Sequence, residues 1–132
     1  MVSITFQPTT EDIILFVGGG EVAERRMQLF IDTPCQIIVI APAVTDRIGQ
    51  WAKDKRIKWW GRAFTSDDEQ FIITSSLFFI CTDNHKLNDS LYVLGKKHRV
   101  WTNRSDDPGA CRFTIPSSLE IGDLHIAISA NN

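Results

Sequence analysis

Along the chain, short apolar runs alternate with stretches whose apolar residues recur three and four positions apart. Ile13–Val17, Cys35–Ala41 and Leu77–Cys81 are apolar at nearly every position. A strand buried on both faces reads this way, whereas a half-buried strand alternates. Arg56–Trp60 and Val100–Thr102 are shorter strand-like runs. Between the runs lie helical patterns. Residues 21–31 set Val22, Ala23, Met27, Phe30 and Ile31 near one helical face, and residues 44–54 read as a short helix. Ser66-Asp67-Asp68-Glu69 reads as a capping box opening another, and residues 85–98 as a helix with Leu87, Leu91 and Leu94 inward. Pro34 ends the first helix and Pro42 the second strand. Residues 1–11 alternate weakly and predict either an edge strand or a loose segment.

The order β-α-β-α-β-α-β-α-β predicts an α/β fold: a Rossmann-like, doubly wound, mostly parallel sheet of order 3-2-1-4-5. Arg112–Pro116 and Leu124–Ser129 follow, with the turn Ile121-Gly122-Asp123 and no helix between them. They predict C-terminal strands paired antiparallel at a sheet edge. At 132 residues the chain makes one domain.

Where the first strand meets the first helix, Gly18, Gly20 and Ala23 fit G-x-G-x-x-A, the dinucleotide fingerprint in its alanine-ended form. Gly18 turns the chain out of the strand. Gly20 has no side chain to keep a pyrophosphate from the backbone, and Ala23 lets the helix pack closely. The helix N-terminus adds free N–H groups and a partial positive charge. Many such folds place an acid at the end of the second strand to hold a ribose. Here that strand ends Ala41-Pro42-Ala43, with Asp46 the nearest acid and Arg47 the nearest base, so NAD and NADP both stay open. Ligands of these sheets lie beyond the carboxyl ends of the strands at the switch point, which makes Thr82 and Asp83 lining candidates. Asp83 or Asn84 also serves as a helix cap.

Composition excludes more than it adds. A formal charge of −2 offers no case for nucleic acid. No apolar run approaches the roughly 18 residues of a membrane span, and residues 1–10 lack the pattern of a signal peptide. The three cysteines, Cys35, Cys81 and Cys111, are scattered without a C-x-x-C, so a reducing, cytoplasmic setting is expected. Lys96, Lys97, His98 and Arg99 read as a solvated helix end. His85, His98 and His125 are not at metal-ligand spacing, and no resident metal site is assigned.

Several ordered motifs resemble one family. They are Val17-Gly18-Gly19-Gly20-Glu21-Val22-Ala23-Glu24-Arg25, Val39-Ile40-Ala41-Pro42, Cys81-Thr82-Asp83-Asn84 with Asn88, and Asn103…Asp106-Asp107-Pro108. Phe113-Thr114-Ile115-Pro116 and Gly122-Asp123-Leu124…Ala127-Ile128-Ser129 complete the set. Over about residues 12–130 the chain is similar to the precorrin-2 dehydrogenase/sirohydrochlorin ferrochelatase family, the N-terminal module of siroheme synthase. The resemblance implies NAD-dependent oxidation of precorrin-2 to sirohydrochlorin, a tetrapyrrole, and in some members insertion of Fe2+ as a substrate. It implies NAD contacts from Glu21 and Val22 at the turn of Gly18, Gly19 and Gly20, and an adenosine flank at Pro42 and Ala43; the switch point puts Thr82 and Asp83 on the facing lip. It places the family's key aspartate at Asp106, a carboxylate suited to accept protons, although Asp106-Asp107-Pro108-Gly109 also spells a turn. Arg104, Arg112 and His125 are candidates, on charge, to meet an acidic tetrapyrrole.

The sequence also departs from that family. Ile4-Thr5-Phe6-Gln7-Pro8 replaces an apolar first strand, and Asn103-Arg104-Ser105 replaces an apolar pair. Ser129-Ala130-Asn131-Asn132 replaces a Ser-Gly-Gly-like segment, so a regulatory serine of some members falls on Ala130. The helical dimerisation region that follows in the family is not expected within these 132 residues, which suggests a homodimer or a partner chain. Two alternatives stay open: a nucleotide-binding module without catalysis of its own that needs a partner chain, and a tetrapyrrole-binding, chelatase-like protein.

Overall fold

The computed structural model describes residues 1–130. Asn131 and Asn132, the end of the segment that replaces Ser-Gly-Gly, lie outside the described residues. Five parallel strands, β1 (Ile13–Val17), β2 (Gln36–Ile40), β3 (Lys58–Trp60), β4 (Leu77–Ile80) and β5 (Trp101–Arg104), form one sheet of order β3-β2-β1-β4-β5. The helices between them are α1 (Glu21–Met27), α2 (Asp46–Lys53), α3 (Glu69–Thr74) and α4 (His85–Lys97).

The period of two along each strand divides the core. Ile14 and Phe16 of β1, Ile37 and Val39 of β2 and Phe79 of β4 pack with Ala23, Met27, Ile48 and Trp51 of α1 and α2. Leu15 and Val17, Ile38 and Ile40, and Phe78 and Ile80 pack on the other face with Ile72 of α3 and Leu91 of α4. Central strands with both faces covered have no use for polar positions, which is why they read as unbroken apolar runs. Phe16 and Phe79 stack at 4.8 Å across the β1–β4 pair, adding about 1 kcal/mol to their burial.

Several boundaries differ from the sequence reading, each for a physical reason. Helix α1 stops at Met27 and the chain continues in turns, yet Phe30 and Ile31 are still buried. The cap near residue 66 is Thr65, whose hydroxyl and backbone pair reciprocally with Asp68. Strand β5 runs past Thr102 to Arg104, whose charged side chain is paired with Asp106 and Asp89 and so tolerates burial. Arg112–Pro116 is not a strand. Its backbone is held by Arg112 N–H donating to the Thr102 carbonyl and by the Asn103 amide donating to the Phe113 carbonyl. The Phe113 ring meets Phe79 edge-on at 5.3 Å.

The antiparallel pair is instead β6 (Ser117–Ile121) and β7 (Leu124–Ile128), a two-stranded sheet of its own. Residues paired across it share a face. Leu119, Ile121, Leu124, Ile126 and Ile128 therefore lie on one side, while Ser118, Glu120, His125 and Ala127 lie on the other. Residues 1–9 form no strand.

Asp68 is buried, pairs with both Arg62 nitrogens at 2.6 and 2.7 Å, and caps the turn before α3. Bonding to Arg62 holds its carboxyl below the ordinary range. A depressed native pKa contributes stability above the unfolded value and loses it as pH falls through the folded one. Asp68→Asn is expected to lower the unfolding free energy by about 2 kcal/mol near neutrality. The gap should shrink below about pH 4, as read from urea midpoints across pH.

Candidate nucleotide crevice and the Asp106 cluster

Strands β1 and β4 pair directly, but β1 leads into a helix on one face and β4 into a helix on the other. The chain parts there and leaves a crevice of about 810 Å³. One lip is Gly18, Gly19, Gly20, Glu21 and Val22, and the other is Cys81, Thr82, Asp83 and Asn84. Pro42, Ala43, Val44, Thr45, Ala63 and Phe64 close the β2–β3 side, while Leu87 and Ser105 close the α4–β5 side.

The glycines divide the work as the fingerprint requires. Gly18 has φ +108°, and a Cβ there would sit 2.4 Å from the Cys81 carbonyl oxygen, so only glycine lets β1 turn beneath the end of β4. At Gly20 a Cβ would meet nothing within 4 Å. Gly20 is also the N-cap of α1 and offers no side chain to its first N–H groups. That turn has donors to spare and open space before them. Behind it, Thr45 donates to Glu24 at 2.7 Å, tying α2 to α1.

Among the described residues lining the crevice none is a basic side chain that could anchor a ribose phosphate. Arg47, the base nearest in sequence to the end of β2, lies over the Trp51 ring at 5.2 Å. Asn84, rather than Asp83, caps α4 by accepting from Leu87 N–H at 3.0 Å, which leaves Asp83 as an exposed lip residue. Burial pushes the Cys81 thiol up to about 12, so it stays protonated and unreactive.

Asp106 does not line the crevice itself. It follows Ser105, at the α4–β5 end, as the hub of a polar cluster. Arg104 donates from Nε to Oδ1 at 2.8 Å and from Nη2 to Oδ2 at 3.0 Å. Asn88 donates to Oδ2 at 3.1 Å, and His85 Nδ1 lies 2.7 Å from the same oxygen. The Arg104 guanidinium, foremost, holds the Asp106 carboxyl far below the usual range, and it remains ionised at any working pH. Arg104 also donates to Asp89 at 2.9 Å. Asn88 bonds both the hydroxyl and the carbonyl of Thr82, which connects the cluster to the crevice lip. Asp107 takes the turn role, its carboxylate accepting from Gly109 N–H at 3.1 Å.

Of the residues considered for an acidic ligand, Arg104 is buried and committed to two carboxylates. Arg112 is exposed, and His125 faces Glu120 on the polar side of the hairpin. Sequence reasoning missed His85 as a partner of Asp106 and Asp89 as a partner of Arg104. The available signal was that Asn88 and Asp89 fall three and four residues after His85 on α4, the spacings that share a helix face. Among the described residues no group of His, Cys, Asp and Glu side chains gathers to hold a metal ion, and no helix is long and apolar enough to cross a membrane.

Comparison with known proteins fits this geometry. A family model described as "Putative NAD(P)-binding" matches residues 6–117. The chain belongs to this NAD(P)-binding family. Siroheme synthase 3 of Aeromonas hydrophila is 32% identical over 117 residues, which are 89% of this chain and 24% of that protein. Siroheme synthase 1 of Serratia proteamaculans is 32% identical over 120 residues, again 89% of this chain and 24% of the relative. This chain thus spans about a quarter of the length of the curated relatives it matches. A solved structure titled "SirC, precorrin-2 dehydrogenase" shares the fold, with a TM-score of 0.79 and 21% identity over 99% of this chain and 62% of that one.

Gly18→Ala adds a side chain against backbone in a left-handed conformation. It is expected to destabilise the protein by about 3 kcal/mol, measured by chemical denaturation.

Proposed function

We propose that the crevice binds NAD and that the protein oxidises precorrin-2 to sirohydrochlorin in siroheme synthesis. The observation that carries this reading is the pairing of the open Gly20 turn with the Asp106 cluster at one end of the same crevice. The similarity to siroheme synthases over this segment, and the fold shared with a precorrin-2 dehydrogenase, support the choice of substrate.

The pyrophosphate would lie against Gly18, Gly19 and Gly20 and the N–H groups that follow, including those of Glu21 and Val22. The adenosine would lie toward Pro42 and Ala43. With Arg47 turned to Trp51 and Arg62 paired with Asp68, NAD is favoured over NADP. The nicotinamide end would then reach Thr82, Asp83 and Ser105, next to Asp106. Bound NAD+ supplies a hydride acceptor. The substrate gives up two hydrogens, one as hydride and one as a proton, so the protein must take the proton and hold the ring in line. Asp106 supplies fixed negative charge where that proton leaves. Iron insertion would call on the same carboxylate and has no separate support.

A second copy of the chain covers the C-terminal hairpin in this reading. An isolated two-stranded hairpin is marginal in water, and here Leu119, Ile121, Leu124 and Ile128 on one face are each more than half exposed. Such a face calls for a cover, and two hairpins laid face to face supply it. The unpaired cysteines suit a reducing cytoplasm.

Two variants separate binding from chemistry in an assay that follows NADH absorbance with precorrin-2 generated in situ. Gly20→Val is expected to lose NAD+ binding by filling the open space. Asp106→Ala is expected to keep NAD+ affinity within about twofold and to lose at least about 100-fold in turnover, on the scale of proton transfer left without its supporting charge. Full activity of Asp106→Ala would remove that residue from the chemistry. In sedimentation the parent chain is expected to be a dimer and Ile126→Lys a monomer. A monomeric parent contradicts the hairpin interface.

A further inference from the structure

The function proposed above leaves open which atom receives the proton. Asp106 is badly suited to keep it. Its two oxygens accept four contacts, from Arg104 twice, Asn88 and His85, and its carboxylate is stabilised in the ionised form. A general base works best when its proton affinity lies near the working pH.

His85 is placed to do what Asp106 cannot. It is the first residue of α4, one step past Asn84 on the crevice lip. Its Nδ1 lies 2.7 Å from Asp106 Oδ2. An ionised carboxylate only accepts hydrogen bonds, so Nδ1 must carry the hydrogen, and the lone pair of the neutral ring is left on Nε2. Nε2 has no hydrogen-bond partner among the described residues. The nearest carboxylate, Asp89, is 3.9 Å away, and that Oδ1 already accepts from Arg104 at 2.9 Å. The His85 side chain is 69% exposed. A base oriented by a carboxylate, with its free nitrogen turned outward, is the base-and-orienter arrangement of many acid–base catalysts.

We propose that His85, oriented by Asp106, is the general base of the dehydrogenation, and that Asp106 is its positioning residue. The inference rests on the proposed substrate. As hydride leaves the substrate for NAD+, Nε2 takes the proton, the C–H or N–H pair stays with the ring system as a new double bond, and His85 becomes an imidazolium. Asp106 and Asp89 flank that cation, while Arg104 holds Asp106 ionised. The proton then passes to water from the exposed edge of the ring.

The test is NADH formation from precorrin-2 by the full chain and by His85→Ala and His85→Gln, with and without added imidazole. NAD+ affinity is measured separately on each. The expected result is a roughly 100-fold loss in kcat for both variants, NAD+ affinity unchanged, and partial recovery of His85→Ala alone with imidazole. A structural role would not be restored by a free base, so loss without recovery overturns the assignment, as does full activity in either variant. If the unaltered chain forms no NADH, the substrate reading fails and this inference falls with it. If that chain turns over and the variants match it, only the role of His85 is overturned.

Discussion

The contact between Gly18 and the end of β4 sets the rest of the site. Gly18 turns with φ +108° against the carbonyl of Cys81, at a distance that no side chain permits. Its own N–H donates to the Ile40 carbonyl at 3.0 Å, and Cys81 N–H donates to the Val17 carbonyl at 2.8 Å. Three strand ends are thereby locked in register, and the chain leaves β1 and β4 in opposite directions. The crevice is the consequence. It exists because the sheet is wound both ways from this point, and it is open to a ligand because the next exposed position, Gly20, carries no side chain.

The same logic of fixed ends explains the polar cluster. Arg104 is a buried guanidinium, and a buried charge persists only when paired and hydrogen-bonded. Asp89 from α4 and Asp106 from the turn after β5 supply that pairing and anchor the helix to the strand. Asn88 and Thr82 extend the network to the crevice lip. Its members are few and nearly all of their polar atoms are used. The free Nε2 of His85 therefore stands out as an unspent group beside a ligand site.

Much of this was legible in the sequence, and the exceptions have physical reasons. The central strands were legible because burial on both faces removes polar positions from them. The order of the sheet followed from alternating strands and helices with right-handed crossovers. Gly18 and Gly20 were legible because their spacing, between a strand and a helix, is demanded by geometry. Strand β5 was read only to Thr102, since hydrophobic patterning cannot know that Asp106, two residues on, and Asp89, on α4, will neutralise the Arg104 guanidinium. The segment at Arg112–Pro116 looked like a strand, but Phe113 is drawn to Phe79 and its backbone to β5, so pairing begins only at Ser117. His85 looked like an ordinary helix start. Its meaning depends on Asp106, 21 residues away, and such a pairing comes only with the fold.

The claim on which everything else rests is that a dinucleotide occupies the switch-point crevice. At 14.9 kDa the chain suits amide-resolved NMR, and the direct measurement is a titration with NAD+. The account expects the N–H resonances of Gly18 to Val22 to move most, with Thr82, Asp83 and Ser105 following and the β6–β7 hairpin unmoved. Shifts that leave the glycine turn untouched, or no shifts at all, would contradict it.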